Sequence, residues 1–231
     1  MIKEPKVHVK IKAMIFDMDG TVVDSNKLDY EAWKSILNDH DVNLEYKEYI
    51  KLLGATSQEI IKKYLDVDEE EINKMIEKRE SLFREFVEEK GLQPMPHIQV
   101  LLEQIKKADM KTALATGAQR EKLDFMLEKI GLGKYFDEIV TADDVEKGKP
   151  NAETFLIAAE KLNVSPKEVI VWEDAEKGVA AAKNGDLLCI AITTTNGGKE
   201  GLESADLIID SYEHIQLEEV LSKFDSQNNL G

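Results

Sequence analysis

The spacing of hydrophobic residues changes twice along this chain of 231 residues, and each change indicates a different kind of structure. Near the start, Val7, Val9 and Ile11 alternate with polar residues and lead into the apolar run Ala13–Phe16, which predicts a short buried strand. Between positions 27 and 93, apolar residues recur at helical spacing. Beyond position 93, short apolar runs alternate with amphipathic segments.

The middle segment carries signals for helices only. Thr56 and Glu59 fit a capping box, in which two side chains satisfy free backbone donors at a helix start. Asp68 begins an acidic stretch that suits the positive end of a helix dipole. Together with the apolar spacing, these signals predict helices at about 28–37, 57–65 and 69–87.

Strands and helices alternate in the last region. The predicted strands are 111–115, 138–141, 169–172, 188–192 and 207–209, and the predicted helices are 100–107, 122–130, 152–162, 175–183 and 212–224. Such alternation is typical of a parallel sheet covered by helices on both faces. We therefore predict an α/β protein, with a Rossmann-like parallel sheet core formed by residues 1–25 and 96–231. An all-helical cap lobe, residues 26–95, is inserted between the two core segments.

Charge and cysteine content limit the partners and the compartment. A formal net charge of -16 argues against nucleic acid and against an anionic membrane surface. The single cysteine, Cys189, lies in an apolar run, so we expect a buried thiol and no disulfide within the chain. The chain shows no apolar stretch long enough to span a membrane and no signal-peptide pattern at its start. We expect a soluble, cytoplasmic protein.

Chemically useful residues follow four of the predicted strands, at their carboxyl ends. In chain order they are Asp17, Asp19 and Gly20, then Thr116 and Gly117, then Lys149, and finally Glu173 and Asp174. Each has an ordinary explanation when taken alone, such as a helix cap, a surface lysine or a turn. Ligands of open parallel sheets, however, bind at this edge. The joint placement of these residues therefore predicts a site.

Phosphoryl transfer is the chemistry that needs this combination. A metal ion held by Asp17, Asp19 and Asp174 would neutralise phosphate oxygens, while Lys149, Thr116 and backbone amides would hold the others. A carboxylate could then approach phosphorus and form an aspartyl-phosphate intermediate, which divides one difficult displacement into two.

The motifs resemble those of the haloacid dehalogenase superfamily, in its β-phosphoglucomutase-like branch with a small helical cap. Asp17-Met18-Asp19-Gly20-Thr21 matches the first motif, Thr116 the second, Lys149 the third, and Glu173-Asp174 with the following Gly178 the fourth. The resemblance covers nearly the whole chain. It implies a Mg²⁺ cofactor and, as the default for this branch, a monomer.

The resemblance also implies a role for each motif residue. Asp17 is the nucleophile, and Asp19 protonates the leaving oxygen, then activates water, with its backbone carbonyl on the metal. Asp174 binds Mg²⁺, and Glu173 is either a further ligand or a neighbour of the ligands. The phosphoryl group is expected to bind to Gly20, Thr116, Gly117 and Lys149.

The cap bears on the substrate. Ser57 occupies the place of an arginine that grips the distal phosphate in β-phosphoglucomutases, and serine cannot replace that bidentate contact. We therefore favour hydrolysis over mutase activity. Asp29 stands where many members carry histidine, and Trp33 also fits the interior of the cap. The residues expected to select the substrate are Asp29, Trp33, Lys51, Ser57 and Gln58.

The expected function is a Mg²⁺-dependent phosphatase acting on a small phosphorylated metabolite, such as a sugar phosphate. Asp19 favours phosphate esters or anhydrides, because the superfamily members that act on haloacids or phosphonates lack this second aspartate. Two alternatives stay open. One is a sugar phosphomutase of the β-phosphoglucomutase type, and the other is a non-catalytic phosphate-binding or regulatory protein with the same fold. The complete set of motif residues argues against the latter.

Overall fold

A computed structural model describes residues 10–53, 55–195 and 198–227, and it has a sheet of six parallel strands. The strands are β1 (Ala13–Phe16), β2 (Lys111–Ala115), β3 (Glu138–Val140), β4 (Val169–Glu173), β5 (Leu188–Ile192) and β6 (Leu207–Ile209). Their order across the sheet is β3-β2-β1-β4-β5-β6. The chain reverses its direction of travel across the sheet between β1 and β4, which is where open sheets bind ligands. The predicted α/β class is confirmed.

Helices cover both faces of this sheet, and others form the segment between β1 and α5 that is predicted to be the cap. They are α1 (Asn26–Asn38), α2 (Tyr46–Ile50), α3 (Ser57–Tyr64), α4 (Glu69–Lys90), α5 (Ile98–Lys107), α6 (Arg120–Ile130), α7 (Glu153–Lys161), α8 (Glu176–Asn184) and α9 (Leu217–Gln227). Within the described residues, no helix is long and apolar enough to cross a bilayer.

The central strand β1 is buried on both faces because its alternate side chains enter two different clusters. Met14 and Phe16 lie in one hydrophobic cluster, and Ala13 and Ile15 lie in the other. Phe16 also stacks on Trp172 of β4, with ring centroids 5.6 Å apart. The apolar run of β1 thus fixes the position at which Asp17 leaves the sheet.

Helices α1 to α4 lie between β1 and α5 and share a third hydrophobic cluster. The capping box is present, since Thr56 Oγ1 accepts from the Glu59 N–H at 3.2 Å and Glu59 accepts from the Thr56 N–H at 2.8 Å. The two connections to the core run side by side, because the Asp24 N–H donates to the Gln93 carbonyl at 3.0 Å. The division into domains at 26–95 remains a prediction.

Two predictions for the ends of the chain differ in their outcome. The last helix begins at Leu217 and not at Tyr212. Tyr212 instead buries its ring against Trp172, 5.8 Å away between centroids, and its hydroxyl donates to the Thr21 carbonyl at 3.0 Å. The predicted alternation at Val7 and Val9 lies outside the described residues.

Candidate active site

A buried lysine joins two carboxylates at the carboxyl edge of the sheet. Asp17 follows β1 directly, and Lys149 lies in the loop before α7. Lys149 Nζ donates to Asp17 Oδ1 at 2.5 Å and to Glu173 Oε1 at 2.7 Å. The lysine side chain is only 5% exposed, so water does not screen these ion pairs strongly. The carboxylates of Asp17 and Glu173 therefore both bind the ammonium group of Lys149, although the three residues come from three separate predicted loops.

Glu173 has both carboxylate oxygens engaged within the protein. Its second oxygen, Oε2, accepts from the backbone N–H groups of Asp174 at 2.8 Å and Ala175 at 2.7 Å. A Cβ atom at Gly178 would overlap this carboxylate, so the glycine of the fourth motif leaves room for it. Glu173 is thus fixed in position and forms an ion pair with Lys149.

Asp174 is held by two hydroxyl groups. Its Oδ1 accepts from Thr21 Oγ1 at 2.9 Å, and its Oδ2 accepts from Thr195 Oγ1. Gly20 has a φ of +79°, and a Cβ there would collide with Asp174, Thr195 and Asn26. The sequence reasoning missed Thr195, although the run Thr193-Thr194-Thr195 follows β5 at the same edge of the sheet.

The Asp19 carboxylate lies beside Ser25, the residue before α1, and near Lys122 of α6. Ser25 Oγ donates to Asp19 Oδ1 at 2.5 Å, and Lys122 Nζ of α6 lies 3.9 Å from the same oxygen. The Asp19 side chain is 25% exposed, whereas the Asp17 side chain is 10% exposed. The second aspartate therefore has the better access to solvent, as a group that exchanges protons requires.

Burial and mutual repulsion raise the pKa values of the two aspartates that lie deepest. Burial raises the pKa of Asp17 well above its usual range, and the charges of Glu173 and Asp174 add to this while Lys149 opposes it. Burial, together with the charge of Glu173, raises the pKa of Asp174 to about 7. Burial alone would lower the pKa of Lys149, but Asp17 and Glu173 raise it. The site thus carries excess negative charge that a cation would relieve.

Thr116 and Gly117, the residues at the second motif, adjoin open space at the carboxyl edge of the sheet. Thr116 is buried at the end of β2, and its Oγ1 accepts from the Ala118 N–H at 3.0 Å, which leaves its own proton for a ligand. A Cβ at Gly117 would meet no atom within 4 Å. This space adjoins a hydroxyl donor and a backbone amide, as a phosphoryl group requires.

Asp29 lies in a buried ionic cluster between the cap and the core. It accepts from Arg79 Nη1 at 2.6 Å, from Lys122 Nζ at 3.2 Å and from the Tyr49 hydroxyl at 3.0 Å. Burial opposes its ionisation, but the charges of Lys122 and Arg79 lower the pKa of Asp29 to about 2. Asp29 therefore makes ion pairs and a hydrogen bond with three protein groups, and its expected role as a substrate contact remains a prediction.

The other cap residues occupy different surroundings. Trp33 is 2% exposed in the cap cluster, with the Arg79 guanidinium 5.2 Å from its ring centroid, and a selecting role for it remains a prediction. Lys51 is exposed. Ser57 and Gln58 are partly buried in the first turn of α3, and Gln58 donates to Glu69 at 3.4 Å. A selecting role for these three residues remains a prediction.

Tyr46 is a cap residue that the sequence reasoning missed. Its ring packs edge-on against Tyr30, with centroids 5.1 Å apart, and is 36% exposed. Burial raises the pKa of Tyr46, and the charges of Asp24 and Asp174 add to this. The phenol is therefore close enough to Asp24 and Asp174 for their charges to act on it.

The carboxylates at this site fit a Mg²⁺ ion that takes only some of its ligands from the protein. Within the described residues, no three histidine, cysteine or acidic side chains form a ready metal cage. Glu173 binds Lys149, and Asp19 accepts a hydrogen bond from Ser25. Asp17 and Asp174 remain as two buried carboxylates that lie close enough to raise the pKa of Asp17. Mg²⁺ typically binds through one or two carboxylates and keeps water and phosphate oxygens as its other ligands.

Proteins similar to this chain include named phosphatases and a β-phosphoglucomutase. The phosphorylated carbohydrates phosphatase of Thermotoga maritima is 33% identical over 222 residues, which cover 91% of this chain and 100% of that protein. The fructose-1-phosphate phosphatase of Escherichia coli is 28% identical over 77% of this chain and 94% of its own. The solved structure of a β-phosphoglucomutase from Clostridium difficile superposes with a TM-score of 0.84 at 27% identity, over 94% of this chain and 98% of that one.

These relatives confirm the prediction of a phosphohydrolase of the haloacid dehalogenase type with a β-phosphoglucomutase-like fold. A family model described as haloacid dehalogenase-like hydrolase matches residues 14–192, from β1 to the end of β5. The match includes every residue of the four motifs. The chain therefore belongs to the haloacid dehalogenase-like hydrolase family.

Proposed function

We propose that the protein is a Mg²⁺-dependent phosphatase that hydrolyses a small sugar phosphate through an aspartyl-phosphate on Asp17. The observation that carries the proposal is the buried ammonium of Lys149, which joins Asp17 to Glu173 beside the carboxylate of Asp174. Asp17 and Asp174 would hold Mg²⁺, which would neutralise charge on the phosphate oxygens and so lower the barrier to attack by an anion.

The first half-reaction transfers the phosphoryl group to the protein. Lys149 holds Oδ1 of Asp17, so Oδ2 is the oxygen that attacks phosphorus. As the new Asp17 O–P bond forms, the bond from phosphorus to the leaving oxygen breaks, and protonated Asp19 gives that oxygen its proton. Ser25 keeps Asp19 oriented through Oδ1, which leaves Oδ2 to carry the proton.

The second half-reaction returns the protein to its starting state. Asp19, now ionised, takes a proton from a water molecule as that water attacks phosphorus. The Asp17 O–P bond breaks, inorganic phosphate leaves, and Asp19 again carries a proton. Lys149 stabilises the Asp17 carboxylate that is released.

The sugar phosphate class is supported by the relatives and by the cap. The names of two similar proteins specify phosphorylated carbohydrates and fructose 1-phosphate. Tyr46 presents a partly exposed ring within the electrostatic range of Asp174, and such a ring suits the apolar face of a sugar. Sugar phosphomutase activity is the second candidate, favoured by the superposition on a β-phosphoglucomutase. Ser57 argues for hydrolysis, since it cannot grip a second phosphate as arginine does.

Phosphate release from a panel of metabolites tests the proposal. The panel contains hexose phosphates, glycerol phosphate, nucleoside monophosphates and pyrophosphate, each with Mg²⁺ and with chelator. We expect release that requires Mg²⁺, concentrates on hexose phosphates and disappears in Asp17→Asn. We also expect Asp19→Asn to slow both half-reactions. Conversion of β-glucose 1-phosphate to glucose 6-phosphate with a bisphosphate primer, without net phosphate release, would instead establish the mutase.

A further inference from the structure

A short series of hydrogen bonds connects the first residue of α1 to the carboxylate of Asp174. Asn26 Nδ2 donates to Thr195 Oγ1 at 2.7 Å, and Thr195 Oγ1 donates to Asp174 Oδ2. Asn26 is 6% exposed and Thr195 is 9% exposed, so water competes little for these bonds. The three polar atoms also crowd around Gly20, where a Cβ would collide with all of them.

The direction of these bonds is fixed by the chemistry of the groups. An amide nitrogen only donates, so Thr195 Oγ1 acts as the acceptor from Asn26. The threonine hydroxyl then has one proton left, and that proton points to Asp174. Asn26 thus determines which way the Thr195 hydroxyl is turned, and the hydroxyl in turn holds one oxygen of the carboxylate.

We propose that Thr195 and Asn26 are positioning residues that fix the Asp174 carboxylate for a divalent cation, so that cation affinity depends on both. The proposal rests on the role given above to Asp174. Groups that orient a ligating carboxylate commonly change metal affinity by about 10- to 100-fold when they are removed. Because Asn26 begins α1, the same bonds tie the cation site to the start of the cap lobe.

Cation binding to the purified protein without substrate tests the proposal. Thr195→Val keeps the shape of the side chain and removes the hydroxyl, whereas Thr195→Ser keeps the hydroxyl. Thr193→Val is the matched control, because Thr193 lies in the same loop but donates to Asp210 at 3.1 Å. We would titrate each protein with Mg²⁺ by calorimetry and with Mn²⁺ by electron paramagnetic resonance. Thermal unfolding in chelator verifies that each variant is folded.

We expect Thr195→Val to weaken Mg²⁺ binding roughly 10- to 100-fold. We expect Thr195→Ser and Thr193→Val to bind within about threefold of wild type. Asn26→Leu should weaken binding in the same direction, and the double variant should be no weaker than Thr195→Val, since Asn26 acts through Thr195.

Three results would overturn the proposal, and they differ in what else they affect. Wild-type affinity in folded Thr195→Val, or an equal loss in Thr193→Val, contradicts the positioning role and leaves the proposed phosphatase untouched. Failure of the wild-type protein to bind either cation contradicts the positioning role and the metal dependence of the proposed function together.

Discussion

Lys149 Nζ lies 2.7 Å from Glu173 Oε1, and two backbone N–H groups hold the other oxygen of that carboxylate. Glu173 is therefore a fixed anion whose partner is the lysine. In the sequence, Glu173-Asp174 reads as two adjacent acidic candidates for a metal. The structure separates them, because Glu173 turns toward Lys149 while Asp174 turns toward Thr21 and Thr195.

Glu173→Gln should reduce turnover without abolishing cation binding. The amide has nearly the same shape but lacks the charge that pairs with Lys149, so the lysine is held less firmly against Asp17. We expect kcat to fall roughly 10- to 100-fold and the Kd for Mg²⁺ to change by less than about threefold. Steady-state kinetics and calorimetry measure the two quantities. A loss of Mg²⁺ affinity as large as that of Asp174→Asn would make Glu173 a metal ligand.

Asp17→Asn should abolish turnover and leave the protein folded. The amide cannot attack phosphorus, and the change relieves crowding among buried carboxylates, so we expect no loss of thermal stability. We expect phosphate release to fall by at least about 10⁴-fold, as for other nucleophile replacements. Asp186→Asn is the control, since Asp186 is exposed at the opposite edge of the sheet, before β5, in a left-handed conformation that asparagine tolerates. Substantial residual turnover in Asp17→Asn would refute the covalent route.

The sheet, and the edge at which the motif residues lie, were predictable from local pattern. An apolar run of four residues that ends in Asp17 specifies a buried strand and the edge at which it stops. The motif spacing also predicts that Lys149 and Asp174 lie at that edge. The bounds of β2, β5 and β6 agree with the prediction, because a short apolar run leaves little choice of where a strand begins and ends.

The contacts of the cap were not predictable in the same way. Helical spacing shows that Asp29 and Trp33 share a helix, but it does not show what lies against each side of that helix. Arg79 and Lys122, the partners of Asp29, are 50 and 93 positions away along the chain. Pairing over such distances depends on how the cap sits on the core, and a single sequence contains no signal for it.

Replacing Tyr46 should change substrate preference more than the chemical step. The Tyr46 ring packs against Tyr30, and its phenol is close enough to Asp174 to be affected by that charge. For Tyr46→Ala, we expect kcat/KM for the preferred hexose phosphate to fall about tenfold, the size of one lost aromatic contact. For acetyl phosphate, which has no sugar ring, we expect a change below about twofold. Tyr64→Ala serves as the control in the cap. Equal losses on both substrates would contradict a selecting role.

Asp29 should make the stability of the protein depend on pH in the acidic range. Its pKa is about 2 in the folded protein and about 3.9 in an unfolded chain. Because the folded value is the lower one, the ionised form stabilises the protein above the unfolded pKa, and this contribution disappears as pH falls toward 2. The ionisation of Asp29 contributes about 2–3 kcal/mol to the free energy of unfolding at neutral pH, and about half of this contribution remains at pH 3.

Comparison of wild type with Asp29→Asn isolates this contribution from the other carboxylates that titrate in the same range. The variant leaves Arg79 and Lys122 buried without their shared anion, so we expect it to be less stable by about 3–5 kcal/mol at pH 7. Urea unfolding at pH 7, 5, 4 and 3 should show this difference shrinking as Asp29 of the wild type becomes protonated. Asp39→Asn, which disrupts an exposed pair with Lys78, should show little effect at any pH. A difference between wild type and Asp29→Asn that stays constant from pH 7 to pH 3 would mean that the Asp29 carboxylate is not the titrating group.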